Sequence, residues 1–254
     1  MKITVLGSGT SQGVPVIACD CHVCKSTDVK DARLRSSILI SAEEENFVVD
    51  AGPDFRQQML RANVRTLKGV LFTHEHKDHL GGLDDIRAFN YRENRKMEIF
   101  STQRVYEAIQ KEYHYIFSEV RYPGIPEISW NEIQLEPFKL PNGPMVVPIQ
   151  VMHHKMPVLG FRIADFTYIT DAKSISEKEL EKVKGTKILI VNALHRSSHI
   201  SHFNLEEALE FINKVKPQQA YLTHISHLFG LHEEIEHDLP EGVSLAYDGL
   251  TIEI

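Results

Sequence analysis

The chain has 254 residues, 42% of them hydrophobic and 25% charged, and carries a formal charge of −7 at pH 7. That balance supports a large core and excludes long disordered stretches and a membrane protein. The acidic net charge also argues against a surface that attracts nucleic acid non-specifically. The length fits one large α/β unit, so residues 1–254 are read as a single domain. Residues 1–7 hold one lysine and a few β-formers before a glycine, too little for the apolar region of a secretion signal, and no later run is apolar enough to span a bilayer. Three cysteines fall close together as Cys19-x-Cys21-x-x-Cys24. An odd number in so short a span argues for a metal clip and a reducing, cytoplasmic setting over a disulfide framework.

In chain order, β-rich runs are expected at 3–6, 37–40, 47–49, 69–72 and 98–100, bounded by turn signals. The stretch 87–130 is different. It mixes Arg87, Arg92, Arg95 and Arg121 with Tyr91, Tyr106, Tyr113, Tyr115, Phe117 and Tyr122, and it ends in Pro123-Gly124-Ile125-Pro126. It reads as helix with an aromatic stripe packed on the core, and a lid or interface is the second reading. Further strands are expected at 146–151, 160–163, 167–169, 187–191 and 219–222. Amphipathic helices are expected at 177–183 and 205–215, the latter capped by Asn204. Strands interleaved with helices in this way suggest two sheets stacked face to face with helices outside. The glycine-rich opening at 7–15 lacks a dinucleotide or P-loop spacing; its backbone amides, with Ser8 and Thr10, could meet a phosphate, and a plain tight turn is the equal alternative.

The strongest chemical signal follows the strand at 69–72, where His74-Glu75-His76-Lys77-Asp78-His79 brings three imidazoles and a carboxylate to a strand-to-helix turn. Extended side chains alternate, so His74 and His76 face one way and can reach one cation, while the turn delivers Asp78 and His79 nearby. Such donors suit zinc, manganese or iron.

This run resembles the His-x-His-x-Asp-His signature of the metallo-β-lactamase superfamily, and the resemblance extends along the chain through Asp50, His153, Asp171 and His224. It implies an αββα four-layer sandwich and a hydrolase with two divalent metals, zinc or manganese, that activate water. On that pattern His74, His76 and His153 hold one metal, Asp78, His79 and His224 the other, Asp171 bridges them, and Asp50 supports the loop from behind. Asp78 anchors and orients as well as ligating. His154 competes with His153, which is preferred because it lies two residues beyond Val151 on the same strand face.

A narrower likeness lies near the chain's two ends. The segment 6–15, with Cys19, Cys21, Cys24 and His227, is similar to the phosphoribosyl cyclic phosphate phosphodiesterase branch, in which three cysteines and a late histidine hold a structural zinc. His202, with His199 as its alternate, matches the histidine that contacts phosphate or protonates the leaving oxygen there. The reaction so implied is hydrolysis of small, preferably cyclic, phosphodiesters. Long nucleic acid and membrane are not expected partners, and a homodimer is the expected assembly if there is one. Three other readings stand beside it: a transfer RNA 3′-processing endoribonuclease, disfavoured by the lack of a basic arm; a glyoxalase II-like thioesterase, which leaves the cysteines unexplained; and a non-catalytic metal-binding module, which would be expected to have lost ligands.

Overall fold

The computed structural model describes residues 1–120 and 122–254, so Arg121, counted above among the basic residues of the 87–130 stretch, lies outside the described residues. The first half of the chain supplies strands β1 (Lys2–Gly7), β2 (Ser37–Ala42), β3 (Glu45–Val49), β4 (Gly69–Leu71), β5 (Met97–Ser101) and β6 (Ile128–Glu132), with helices α1 (Phe55–Arg61), α2 (Lys77–Leu80), α3 (Arg87–Glu93) and α4 (Gln103–Glu112) between them. The second half supplies β7 (Phe138–Lys139), β8 (Met145–His153), β9 (Met156–Ile163), β10 (Phe166–Ile169), β11 (Ser174–Ile175), β12 (Ile188–Asn192), β13 (Gln219–Thr223), β14 (Val243–Leu245) and β15 (Thr251–Glu253), with α5 (Glu177–Val183), α6 (Leu205–Val215) and α7 (His232–Asp238). One sheet runs β15-β1-β2-β3-β4-β5-β6, and the other runs β11-β8-β9-β10-β12-β13-β14 with β7 paired to β8.

Strand alternation turns this order into layers. Phe47 and Val49 of β3 face inward and meet Phe161, Tyr168 and Ile190 of the opposite sheet, while Val48 between them faces outward among Phe55 and Met59 of α1 and Val105 and Ile109 of α4. On the far side, Leu189 and Val191 of β12 pack under Phe211, Ile212 and Val215 of α6. Side chains on alternate faces of a strand can serve two cores at once. The result is helix, sheet, sheet, helix, the four-layer order expected from sequence. Asn204 accepts from the Glu207 backbone N–H and Glu207 reciprocates, a capping box that fixes where α6 begins. No helix among the described residues is long and apolar enough to cross a membrane.

The 87–130 stretch is not one helix: α3 and α4 flank β5, and β6 closes the sheet. Part of the aromatic stripe packs inward. Tyr106 stacks on Trp130 with ring centroids 4.0 Å apart, and the buried Tyr113 hydroxyl donates to the Leu80 carbonyl at 2.8 Å. Tyr91 and Tyr122 instead project into solvent.

The site is positioned by parallel pairing. β3 with β4, and β10 with β12 and β13, run side by side in the same direction. Their carboxyl ends therefore deliver Asp50, Thr73, Asp171 and His224 to one edge of the sandwich, the kind of edge at which α/β sheets hold ligands.

Candidate metal centre

Asp50 and His224 directly follow β3 and β13, and Asp171 follows β10 after the single residue Thr170; each is left-handed, with φ of 65°, 59° and 58° respectively. A non-glycine residue there costs about 1–3 kcal/mol and persists only where its surroundings over-determine it. Here the turn aims each side chain back across the strand ends.

Hydrogen bonds then settle which imidazole nitrogens face the middle. His79 Nδ1 lies 2.7 Å from Asp50 Oδ2. The Thr73 hydroxyl gives its proton to the same carboxylate at 2.8 Å and so accepts from His74 Nδ1 at 2.9 Å. Ser36 donates to the Gly9 carbonyl at 2.9 Å and accepts from His224 Nδ1 at 3.1 Å. His153 Nδ1 donates to the Asp171 carbonyl at 3.1 Å. In all four rings the Nδ1 partner can only accept, so Nε2 carries the lone pair. His74 Nε2 and His79 Nε2 are buried without any hydrogen-bond partner. His79 Nε2 moreover stands 3.1 Å from Asp78 Oδ2 and 3.2 Å from Asp171 Oδ2. Lone pairs and carboxylate oxygens at that distance repel unless a cation lies between them.

The titration behaviour reports the same demand. Burial would depress His79, yet Asp171, Asp50 and Asp78 around it raise it well above the ordinary histidine range: a proton takes the place of the missing positive charge. His74, equally buried, is pushed well below that range by desolvation and by His79. Asp171 is held well below the carboxylate range because His224 and His79 outweigh its burial. The donor set fits divalent metal, with ligand atoms within 4.8 Å of one another in three groups: His74, His79 and Asp171; His153, Asp171 and His202; and Asp78, Asp171 and His224.

These groups bring together His74, His79, His153, Asp78, Asp171 and His224 of the expected residues, with differences in detail. Asp171 belongs to all three. His76 stands outside them, with its ring centroid 4.7 Å from that of His74 and 5.2 Å from that of His153. It is the residue at which extended backbone turns into α2 (φ −64°, ψ 150°), which leaves it exposed at the rim. His202 comes closer than expected, its ring 4.5 Å from His153 and 4.8 Å from His224. Its Nδ1 is buried without a partner. His199 is one ring further out, 5.2 Å from His202, and His154 sits exposed in the β8–β9 turn.

A second cluster gathers Cys19, Cys21, Cys24 and His227. The three sulfurs lie 3.3, 3.4 and 3.5 Å from His227 Nδ1. The Cys24 backbone N–H and His227 pull the Cys21 thiol down to about 6, whereas burial pushes Cys24 up to about 11. One thiolate is favoured, and a second or third beside it needs a cation, so this donor set fits a closed tetrahedral zinc.

The glycine-rich segment serves close backbone packing. A Cβ on Gly7 would stand 1.9 Å from the Arg35 carbonyl, and one on Gly9 2.9 Å from that of Arg33. These glycines let two backbones touch. Ser8 is fully buried, its hydroxyl donating to Asp248 at 2.8 Å and accepting from the Arg33 guanidinium at 2.9 Å, so the structure places it away from any open surface. The Thr10 backbone N–H is likewise engaged, donating to the Ile225 carbonyl at 3.0 Å.

Comparison with known proteins agrees with this centre. A family model described as the beta-lactamase superfamily domain matches residues 45–225. The chain belongs to the metallo-β-lactamase superfamily. Members of this superfamily are mostly hydrolases and the fold binds divalent metals. A crystal structure described as a new diphosphatase from the PhnP family is 34% identical, with a TM-score of 0.93, covering 100% of this chain and 97% of that one. Zinc-bound PqqB from Methylobacterium extorquens, 18% identical with a TM-score of 0.81 and full coverage of both chains, shares the fold. Among curated proteins, an octanoyltransferase of Porphyromonas gingivalis is 39% identical over 98% of this chain but 51% of its own length. The chain spans about half the length of the curated relatives it matches.

Proposed function

We propose that this metallo-β-lactamase-family protein hydrolyses small phosphodiesters, cyclic ones preferred, with two divalent metals, zinc or manganese, at the histidine and aspartate cluster and one structural zinc at the cysteine clip. The observation that carries the reading is the likeness, at 34% identity and over nearly the whole of both chains, to a protein described as a diphosphatase. Diphosphatase and phosphodiesterase share attack on phosphorus with an oxygen leaving group. The octanoyltransferase name belongs to a relative of which about half lies outside the match, so acyl transfer is kept as an outcome to test.

In this reading His74, His79, His153 and His224, with Asp78 and Asp171, hold the metals, and His76 completes the set at the rim. When bound, the metals supply Lewis acidity that draws charge off phosphoryl oxygens and acidifies water. The chain's own contribution is orientation. Asp50 aims His79 and, through Thr73, His74; Ser36 aims His224; and the Asp171 carbonyl aims His153. Burial, reinforced by His224, pushes the His202 ring down to about 3, which makes it a neutral hydrogen-bond donor near pH 7. A phosphate anion beside it would raise it again and let it pass a proton to the departing oxygen. The protein's acidic charge favours a small diester over a long polyanion, whose binding rests on many Lys or Arg contacts.

The test is a hydrolysis screen of the metal-loaded protein against cyclic and linear phosphodiesters, diphosphates, thioesters and a lactam. The expected order puts a small cyclic diester first. Faster cleavage of a thioester than of any phosphate ester overturns the reading.

A further inference from the structure

On the outer face of the first sheet, α1 and α3 lie side by side with a groove of about 250 Å³ between them. Both start where the chain backs the metal loop: the Phe55 backbone N–H donates to the Gly52 carbonyl at 2.9 Å, and the Gly82 backbone N–H to that of Ala51 at 2.8 Å. The helices connect parallel strands, so they run the same way and finish together, and at that far end the Leu67 backbone N–H donates to Glu93 at 3.0 Å. Phe55 and Phe89 meet edge to face, ring centroids 6.3 Å apart, and floor the groove. Met59, Leu60 and Val64 wall it on the α1 side, with Leu60 64% exposed. On the α3 side Ala88 ends at its Cβ, which leaves the groove open.

Charge is sorted along this groove. Arg56 and Asp85 share the end at which the helices start, while Arg65 and Arg92 share the end at which they finish. Among the described residues the neighbouring arginines are paired, Arg61 with Asp248 and Arg87 with Asp84, and Arg56, Arg65 and Arg92 are not. Glu93, beside Arg92, is already used, Oε1 by Leu67 and Oε2 by Arg95 at 2.7 Å. Two exposed guanidiniums therefore stand together without an anion of the chain to neutralise them, on a protein that is acidic as a whole. A guanidinium presents a fork that pairs with both oxygens of a carboxylate. At about 30 Å³ per heavy atom the groove takes roughly eight of them, and helices of seven residues give it a length of ~10 Å. That size suits an unbranched chain and is too small for a helix, whose girth is about 10–12 Å.

We propose that the groove between α1 and α3 binds a medium-length aliphatic carboxylate, its head between Arg65 and Arg92 and its chain along Leu60 and Phe89 toward Asp85. The carboxylate of Asp85 at the tail end disfavours a second negative charge on the ligand. The site stands apart from the phosphodiesterase reading and does not depend on it.

The test is methyl NMR of the metal-loaded protein with nonanoate, in enough inorganic phosphate to occupy the metals and keep the carboxylate off them. The Met59, Leu60 and Val64 methyls should shift and give a dissociation constant. Nonanol should bind about tenfold more weakly, the worth of a hydrogen bond to a charged group. Pentanoate should be weaker by more than about tenfold, because four buried methylenes are missing. Arg65→Gln combined with Arg92→Gln should make nonanoate and nonanol equal, and Ala88→Trp should block both; all three positions are exposed, so the melts should hold. Equal binding of acid and alcohol by the wild type, or nonanoate binding unchanged in both variants, overturns the proposal. Nonanoate shifts confined to residues around the metals do the same. If the groove methyls ignore nonanoate yet respond to an acidic, leucine-bearing helical peptide or to the protein's own concentration, the groove docks protein and the small-anion proposal falls.

Discussion

The two ligand clusters of this chain are built on opposite plans. The histidine and aspartate cluster rests on strand ends, its imidazoles pinned at Nδ1 by acceptors that are themselves buried, and its donors outnumber what one cation needs. The cysteine cluster lies in the loop at Cys19 to Cys24 with one distant histidine, all four residues only half-buried, and offers four donors and no more. A closed set of four has no place for a substrate, so its return is stability, while a surplus of rigidly aimed donors leaves positions at which chemistry can occur. The contrast also separates two sources of rigidity: sheet in the first case and, on the proposed zinc reading, the cation in the second.

The sharpest way to break the contrast is Asp78→Ala. Removing a ligand from the strand-end cluster should cost more than about a hundredfold in kcat, since even outer partners of metal ligands are worth 10–100-fold, with the circular dichroism melt nearly unchanged. Near-normal turnover would sink the two-metal assignment. Asp50→Asn comes next, with roughly a 10–100-fold loss in metal affinity or kcat, because His79 and Thr73 both lean on its charge. Metal titration of the variant checks this, and wild-type affinity would show that the ring needs no carboxylate to aim it. His202→Ala should slow alkyl diesters much more than 4-nitrophenyl diesters, because only the former need a proton on the leaving oxygen. Equal losses on both would remove His202 from that step.

For the loop cluster the effect should move to stability. Cys24→Ser should remove one zinc by elemental analysis and lower Tm, by roughly 2–4 °C for each kcal/mol of folding free energy lost in a chain of this size. Turnover by the folded protein should change the least of all these measurements. If zinc content and Tm both hold, the clip is not a metal site. If instead turnover falls as far as in Asp78→Ala, the division between a stabilising and a reacting cluster fails.

Most of the layer order could be read from the sequence, because alternating and continuous apolar runs such as 47–49 and 187–191 reflect faces that are truly buried. The ligand residues were legible for a different reason: six positions from His74 to His79 concentrate rare donor types. The hydroxyls of Ser36 and Thr73 were not, since serine and threonine are common and only the third dimension decides which one meets an imidazole. The glycine segment was ambiguous for the same reason. Gly7 and Gly9 suit an anion loop and a close backbone approach equally well, and the deciding contact with Arg33 and Arg35 lies more than twenty residues away. Short edge strands such as β14 and β15 carry too few residues for a period to show, and the rim position of His76 follows from a turn that alternation alone does not foresee.

The span of the Cys19 to His227 contact has a bearing on how the protein is made. Those two residues are 208 apart in sequence, and Ser8 and Asp248 are 240 apart. Closing loops of that length costs entropy that local contacts cannot repay, and such pairings form late in folding. As the chain leaves the ribosome, both sheets can begin to pair while the three thiols still wait for their histidine. Until His227 emerges, the cysteines are exposed to oxidants and to the wrong metal, and the loop that carries them is not yet stapled beside His224. If the proposed zinc sits there, the clip ties the metal edge to a residue made more than 200 positions after Cys19, and a product that stops before His227 should stay inert rather than partly active.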